Sequence, residues 1–215
     1  MSADTLWYVA RGAGVVTLLL LSLNVALGIV ARSGQGFPGM PGFAVAQVHR
    51  TAALLSVVLL GIHVATLLLD PYAQLTLPDV VLPFGAGYRP LWTGLGTLAL
   101  DLLAAIIVTS LLRQRIGRRA WRVVHWSAYA AWPVSIGHAL GDGTDSGTRW
   151  LLAMVAACVL VVGGALAWRL SAGFGSPSRT PVRRPGLSGP SGPDDRPLVT
   201  AGSATRPVAT NSTAG

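Results

Sequence analysis

Lysine and glutamate are missing altogether. All sixteen basic residues are arginine, all eight acids are aspartate, and charged residues make up only 11% of the 215. A soluble domain carries about a quarter charged residues, so this scarcity excludes an ordinary water-facing globule. The absence of Lys and Glu beside many Ala, Gly and Arg has the compositional look of a GC-rich bacterial genome. There is one cysteine, Cys158, set inside an apolar run. A disulfide framework or a Cys-based zinc site within one chain is thereby excluded, and a packing role is expected for the thiol. No GxGxxG follows a strand, no phosphate loop occurs, and neither a strand-period pattern nor an internal repeat is present. The net charge of +8 does not point to nucleic acid. Most arginines sit at the ends of apolar runs or in the C-terminal stretch, where an anionic membrane surface accounts for them.

What the sequence does have is long hydrophobic runs, with 52% hydrophobic residues overall. Val15–Val30 lies inside a first run that begins near Trp7. It is too long, and lacks the cleavage-type flank, for a removed signal peptide. Val45–Leu69, Leu91–Leu112, Trp121–Leu140 and Trp150–Leu170 follow. Each is close to the roughly 20 residues that cross a hydrocarbon core of about 30 Å. Backbone groups find no partners in lipid, so such segments must be helices. Trp7, Tyr8, Trp92, Trp121, Trp150 and Trp168 stand near their ends as an interfacial belt does. The expected fold is all-α: a polytopic membrane helical bundle of about five transmembrane helices over residues 1–170. From about Ser171 the composition turns to Gly, Ser, Pro, Thr and Arg, which predicts a disordered tail over 171–215.

The link RQRIGRRAWR carries Arg113, Arg115, Arg118, Arg119 and Arg122 and is the strongest cytoplasmic signal. The loops holding Asp70, Asp79, Asp142 and Asp145 then fall outside. The N-terminus is expected outside and the C-terminus in the cytoplasm of a plasma-membrane protein.

All four histidines lie in two of the runs: His49 and His63, fourteen apart, and His125 and His138, thirteen apart. At 1.5 Å per residue each pair is separated by about 20 Å along its helix. The second and fourth runs are parallel, so His49 is level with His125 and His63 with His138. Two layers of facing imidazoles result, the arrangement that bis-His haem ligation requires. A neutral imidazole binds iron and, unlike a carboxylate or ammonium, is tolerable in a low-dielectric site. Gly61 and Gly137 stand beside His63 and His138 as small residues that would admit a flat ring. Arg50 and Arg122 are candidates for inner propionates, and Arg11, Arg89 and Arg149 for outer ones. Fourteen residues return within about 40° of the same helix face, whereas thirteen fall about 140° away. A kink or rewinding is expected in the fourth run, where Pro133 lies between its two histidines. Asp101, an acid inside a run, is a candidate for proton movement or for pairing with an Arg or a backbone group.

The segments HRTAALLSVVLLGIH and HWSAYAAWPVSIGH resemble the ferric reductase transmembrane domain, the group that includes the membrane parts of NADPH oxidases and ferric reductases. DPYAQ and YRPLWTGLG are further similar to stand-alone actinobacterial members. The resemblance covers about residues 6–170. It implies haem b, two per chain, with His49 and His125 on the inner iron and His63 and His138 on the outer. Relatives usually have six spans and a C-terminal flavin and nicotinamide domain. Five spans are counted in this sequence, and its tail stands in that place. The resemblance therefore implies transmembrane electron transfer with a separate donor, a flavoprotein or quinol, and an acceptor outside. A self-sufficient NADPH-dependent reductase is not expected. Two other readings are a haem-free, His-lined transporter or ion path, and a cytochrome b subunit anchoring a larger dehydrogenase.

Overall fold

The computed structural model describes residues 3–33, 41–142 and 147–171; the tail expected over 171–215, apart from Ser171, and Asp145 lie outside them. The described residues are all-helical. They form α1 (Ala3–Ser33), α2 (Gly42–Leu69), α3 (Leu77–Val81), α4 (Pro90–Leu111), α5 (Arg113–His125), α6 (Ala128–Asp142) and α7 (Arg149–Leu170). Four of them, α1, α2, α4 and α7, are long and apolar enough to cross a membrane. The chain is a helical membrane bundle in contact with lipid.

The fourth expected run arrives in two pieces. A break at Trp126 and Ser127 separates α5 from α6, and α6 has 15 residues, about 22 Å of helix. Pro133 sits inside α6, not at the break. Its missing N–H leaves the Tyr129 carbonyl without its helical donor, and its ring crowds that carbonyl. Upstream the chain tightens. Ser127 N–H donates to Val124 O (2.9 Å), Tyr129 to Trp126 O (3.0 Å) and Ala130 to Ser127 O (2.9 Å). These i→i−3 bonds advance the chain about 120° per residue instead of 100°. Three of them take about 60° off the 140° that would otherwise part His125 from His138.

α1 is the centre of the bundle. Half of its apolar stretch is buried within the chain, against 11% for α2, and it packs on α2, α6 and α7. Leu18 meets Leu151 and Val155, Val25 and Ile29 meet Val162, and Leu27 and Val30 meet Val45. In lipid these contacts are held by close packing and interhelical hydrogen bonds, the latter about 0.6–2 kcal/mol each. Two such bonds are Asn24 Nδ2 to Ser56 Oγ (3.0 Å) and Trp132 Nε1 to Ser22 Oγ (2.9 Å). α4 packs on α6, α5 and α3. α2 and α6, which carry the outer histidines, are not among the closely packed pairs.

The link from α2 to α4 forms a cap at the acidic end of the bundle. Gln74, Phe84 and Arg89 have positive φ there. The Phe84 backbone lies against Gly94 so closely that a Cβ at 94 would stand 2.6 Å from the Phe84 nitrogen. Thr97 Oγ1 donates to Asp79 O (2.7 Å) and Arg89 Nη1 to Gly141 O (2.8 Å). The Asp79 carboxylate accepts the Thr76 N–H (2.9 Å) and hydroxyl (2.6 Å) at the start of α3. These bonds hold the Asp79 carboxyl below its ordinary value of 3.8. A carboxylate depressed on folding stabilises at higher pH and loses that contribution as pH falls through the folded value. Hydrogen exchange at residues 76–82 should stay slow above the ordinary carboxylate range and quicken below it. Asp79→Asn should remove that dependence.

Candidate functional site

Two of the four histidines meet ring to ring. His63 on α2 and His138 on α6 face each other across the space between those helices, ring centroids 6.4 Å apart and planes at 77°. Each ring is oriented by one of its nitrogens. His63 Nδ1 donates to Ala10 O (2.6 Å) and His138 Nδ1 to Trp92 O (2.9 Å). With the proton on Nδ1, Nε2 keeps its lone pair for a metal, the usual outer-shell arrangement of a ligating histidine.

Glycines seat both rings, though not those singled out from the sequence. A Cβ at Gly14 would stand 2.9 Å from His63 Cε1 and Nδ1, and one at Gly96 would stand 2.7 Å from His138 Cε1. Gly61 has nothing within 4 Å of such an atom, and Gly137 faces Leu95 instead. On α1 the arrangement repeats. Gly28, fourteen residues after Gly14, lies against His49, fourteen residues before His63, at a more relaxed 3.6 Å. The fourteen-residue spacing of the two glycines matches that of the two histidines, and it is the signal in the sequence that marks them.

His49 and His125 lie near enough to act on each other's charge. His125 stacks on Trp121 one turn earlier, at 4.9 Å and 27°. Neither inner Nδ1 has a hydrogen-bond partner among the described residues, although both are buried. Arg50 and Arg122 are exposed at this end.

A cavity of about 490 Å³ opens around the outer pair, within the range of small-molecule and cofactor sites. Gly14, His63, Gly96 and His138 line it, with Asp70 and Asp142 toward its polar end. Arg11 also lines it and stacks over Trp7 (4.9 Å) and Trp150 (5.7 Å). Arg89 is engaged with Gly141. Beside the cavity an apolar groove of about 340 Å³ runs between α2 and α4 past Gly61 and Ala104. The two spaces share Leu60, Val64 and Leu100. Asp101 makes no hydrogen bond or ion pair among the described residues and lines neither space.

Among the described residues no three His, Cys, Asp or Glu side chains converge as a protein-only metal cage requires. At the outer pair, two imidazoles, an open cavity and a glycine floor are chemically suited to an iron whose remaining ligands come from a porphyrin.

The comparison that decides the family agrees with this geometry. The model of the ferric reductase like transmembrane component matches residues 13–136, more than half of the chain. The chain belongs to that family. Membership of the ferric reductase-like family points to transmembrane electron transfer. The matched stretch takes in His49, His63 and His125, and His138 follows two residues beyond it. No curated protein and no solved structure gives a significant match to this ferric reductase-like chain.

Proposed function

We propose that this ferric reductase-like chain is a b-type dihaem cytochrome that carries electrons across a bacterial plasma membrane. His63 and His138 would hold the outer haem, and His49 and His125 the inner one. The observation that carries the reading is the outer pair: two imidazoles 6.4 Å apart on helices that are not closely packed, each with Nδ1 committed to a backbone carbonyl. Haem supplies reversible one-electron chemistry when bound.

The chain's own residues do the rest. The Ala10 and Trp92 carbonyls fix the tautomer and tilt of the outer ligands. Gly14 and Gly96 let the rings sit against α1 and α4. Arg11 at the outer cavity and Arg50 and Arg122 at the inner end are cations suited to propionates. The apolar walls keep water from the layers. The arginines of α5 mark the cytoplasmic side, which puts the N-terminus outside, the C-terminus inside and the His63 layer toward the exterior. Electrons then enter from a separate cytoplasmic flavoprotein or from quinol and leave to an acceptor outside.

The test is a pyridine haemochrome assay and a reduced-minus-oxidised spectrum on the purified chain, followed by reconstitution into vesicles. About two b-type haems per chain are expected, with an impermeant oxidant on one side drawing electrons supplied at the other. A folded chain from haem-replete cells that carries no haem would overturn the reading and leave the His-lined transporter in its place.

A further inference from the structure

The two layers are not built alike. In the outer one both Nδ1 atoms donate to carbonyls, His63 to Ala10 O at 2.6 Å and His138 to Trp92 O at 2.9 Å. In the inner one the buried Nδ1 atoms of His49 and His125 have no acceptor among the described residues. The contrast is sharpest on α2, because α1 repeats its seat for each ring. Ala10 and Gly14 lie under His63, and fourteen residues on Asn24 and Gly28 lie beside His49. The Asn24 backbone lies within reach of the His49 ring but leaves its Nδ1 without a bond like that of His63 to Ala10, and the Asn24 side-chain amide nitrogen is turned to Ser56.

An N–H that donates strongly gives its imidazole more imidazolate character. The ring becomes a stronger donor through Nε2, and a stronger donor favours the more positive iron. Fixed charges act in the same direction. Outside, the Asp142 carboxylate stands 3.9 Å from His138 Nδ1 and Asp70 lines the same cavity, buried to 4% exposure; negative charge favours the oxidised site. Arg11 opposes them there, spread over two indole faces. Inside, the charges adjoining the ligands in sequence are Arg50 and Arg122, and α5 carries no acid; positive charge favours the reduced site. Both arginines are exposed and therefore screened, so the hydrogen-bond contrast is the larger effect.

From these differences we infer that the chain sets its two redox sites at different potentials, the outer lower than the inner. The inference rests on the dihaem reading above. With haem bound at both sites, a single electron from the cytoplasmic donor would reduce the inner site and stay there. Its passage to the outer site would oxidise the inner and reduce the outer by one electron, with no bond made or broken and no proton required. That step runs uphill until an external one-electron acceptor draws it. The asymmetry holds the exposed end oxidised at rest and concentrates reducing power where the donor docks.

Potentiometric titration followed at the haem absorption bands tests this directly. The intact chain should titrate in two components. His63→Ala, which removes the outer site, should keep the higher one, and His49→Ala should keep the lower. Equal midpoints in the two variants, or the reverse order, overturn the inference. Asp142→Asn in the two-haem chain provides a test that needs no ligand removed. Only the lower component should move, and upward, with haem content unchanged; movement of the higher component alone overturns the assignment. A chain without haem fails the dihaem reading itself, a result distinct from either of these.

Discussion

His138→Ala should halve the haem content of the purified chain, from about two per chain to about one, and stop electron delivery to an impermeant acceptor outside. Several groups depend on that ring. It is the partner of His63 across the slot, its Nδ1 bonds the Trp92 carbonyl, and its Cε1 lies over Gly96. Alanine leaves one imidazole in the outer layer, and a single ligand does not close a bis-His site. The inner layer as proposed would use His49 on α2 and His125 on α5, before the helix break, so reduction from the cytoplasmic side should persist. Haem counting and vesicle assays on one preparation separate the two effects. Retention of two haems would place the outer ligand elsewhere. The residue is a pointed choice because it lies just past the stretch that the family model covers.

The second large effect concerns the glycine seats. Gly14→Val and Gly28→Val make the same change at equivalent points of α1, yet their consequences should differ. At Gly14 even a Cβ would come within 2.9 Å of the His63 ring, whereas at Gly28 it would meet His49 at an ordinary 3.6 Å. Overpacking a tight contact costs about 1–3 kcal/mol and is relieved by moving the softer partner, in this case the ring. Gly14→Val should therefore lose the outer haem and the Ala10 hydrogen bond together, with a lower thermal midpoint for the apo chain. Gly28→Val should largely keep the inner haem. Equal losses in both variants would show that the seats serve helix packing and not the rings. Gly96→Val should behave like Gly14→Val, because His138 is as tightly placed.

The sequence carries the bundle and the level pairing of its histidines because both depend on length and period, which are local properties. Hydrophobic runs must be helices in lipid, and a rise of 1.5 Å per residue fixes the layers. The break in the fourth run was foreseeable in kind, since thirteen residues cannot share a face. Its position was not. Pro133 acts on the carbonyl four residues before it, and the tight turn is displaced further upstream to Ser127. The glycines show the other limit. Gly61 and Gly137 adjoin histidines in sequence, but neighbours along a helix point to different faces. The residues that meet the rings come from α1 and α4, and only a three-dimensional register brings Gly14 to His63 and Gly96 to His138. Which nitrogen of each outer ring is occupied is likewise set by carbonyls 53 and 46 residues away.

α2, which carries one histidine of each layer, is fastened along α1 and packs closely on neither α4 nor α6. Its far edge borders an apolar groove that shares Leu60, Val64 and Leu100 with the outer cavity. A helix held on one side behaves as a door on a hinge. On the haem reading proposed above, a flat hydrophobic cofactor dissolved in the bilayer would have a sideways route to the outer cavity through this groove, without crossing the aqueous cap. The membrane that houses the protein would then also be the solvent from which it is loaded.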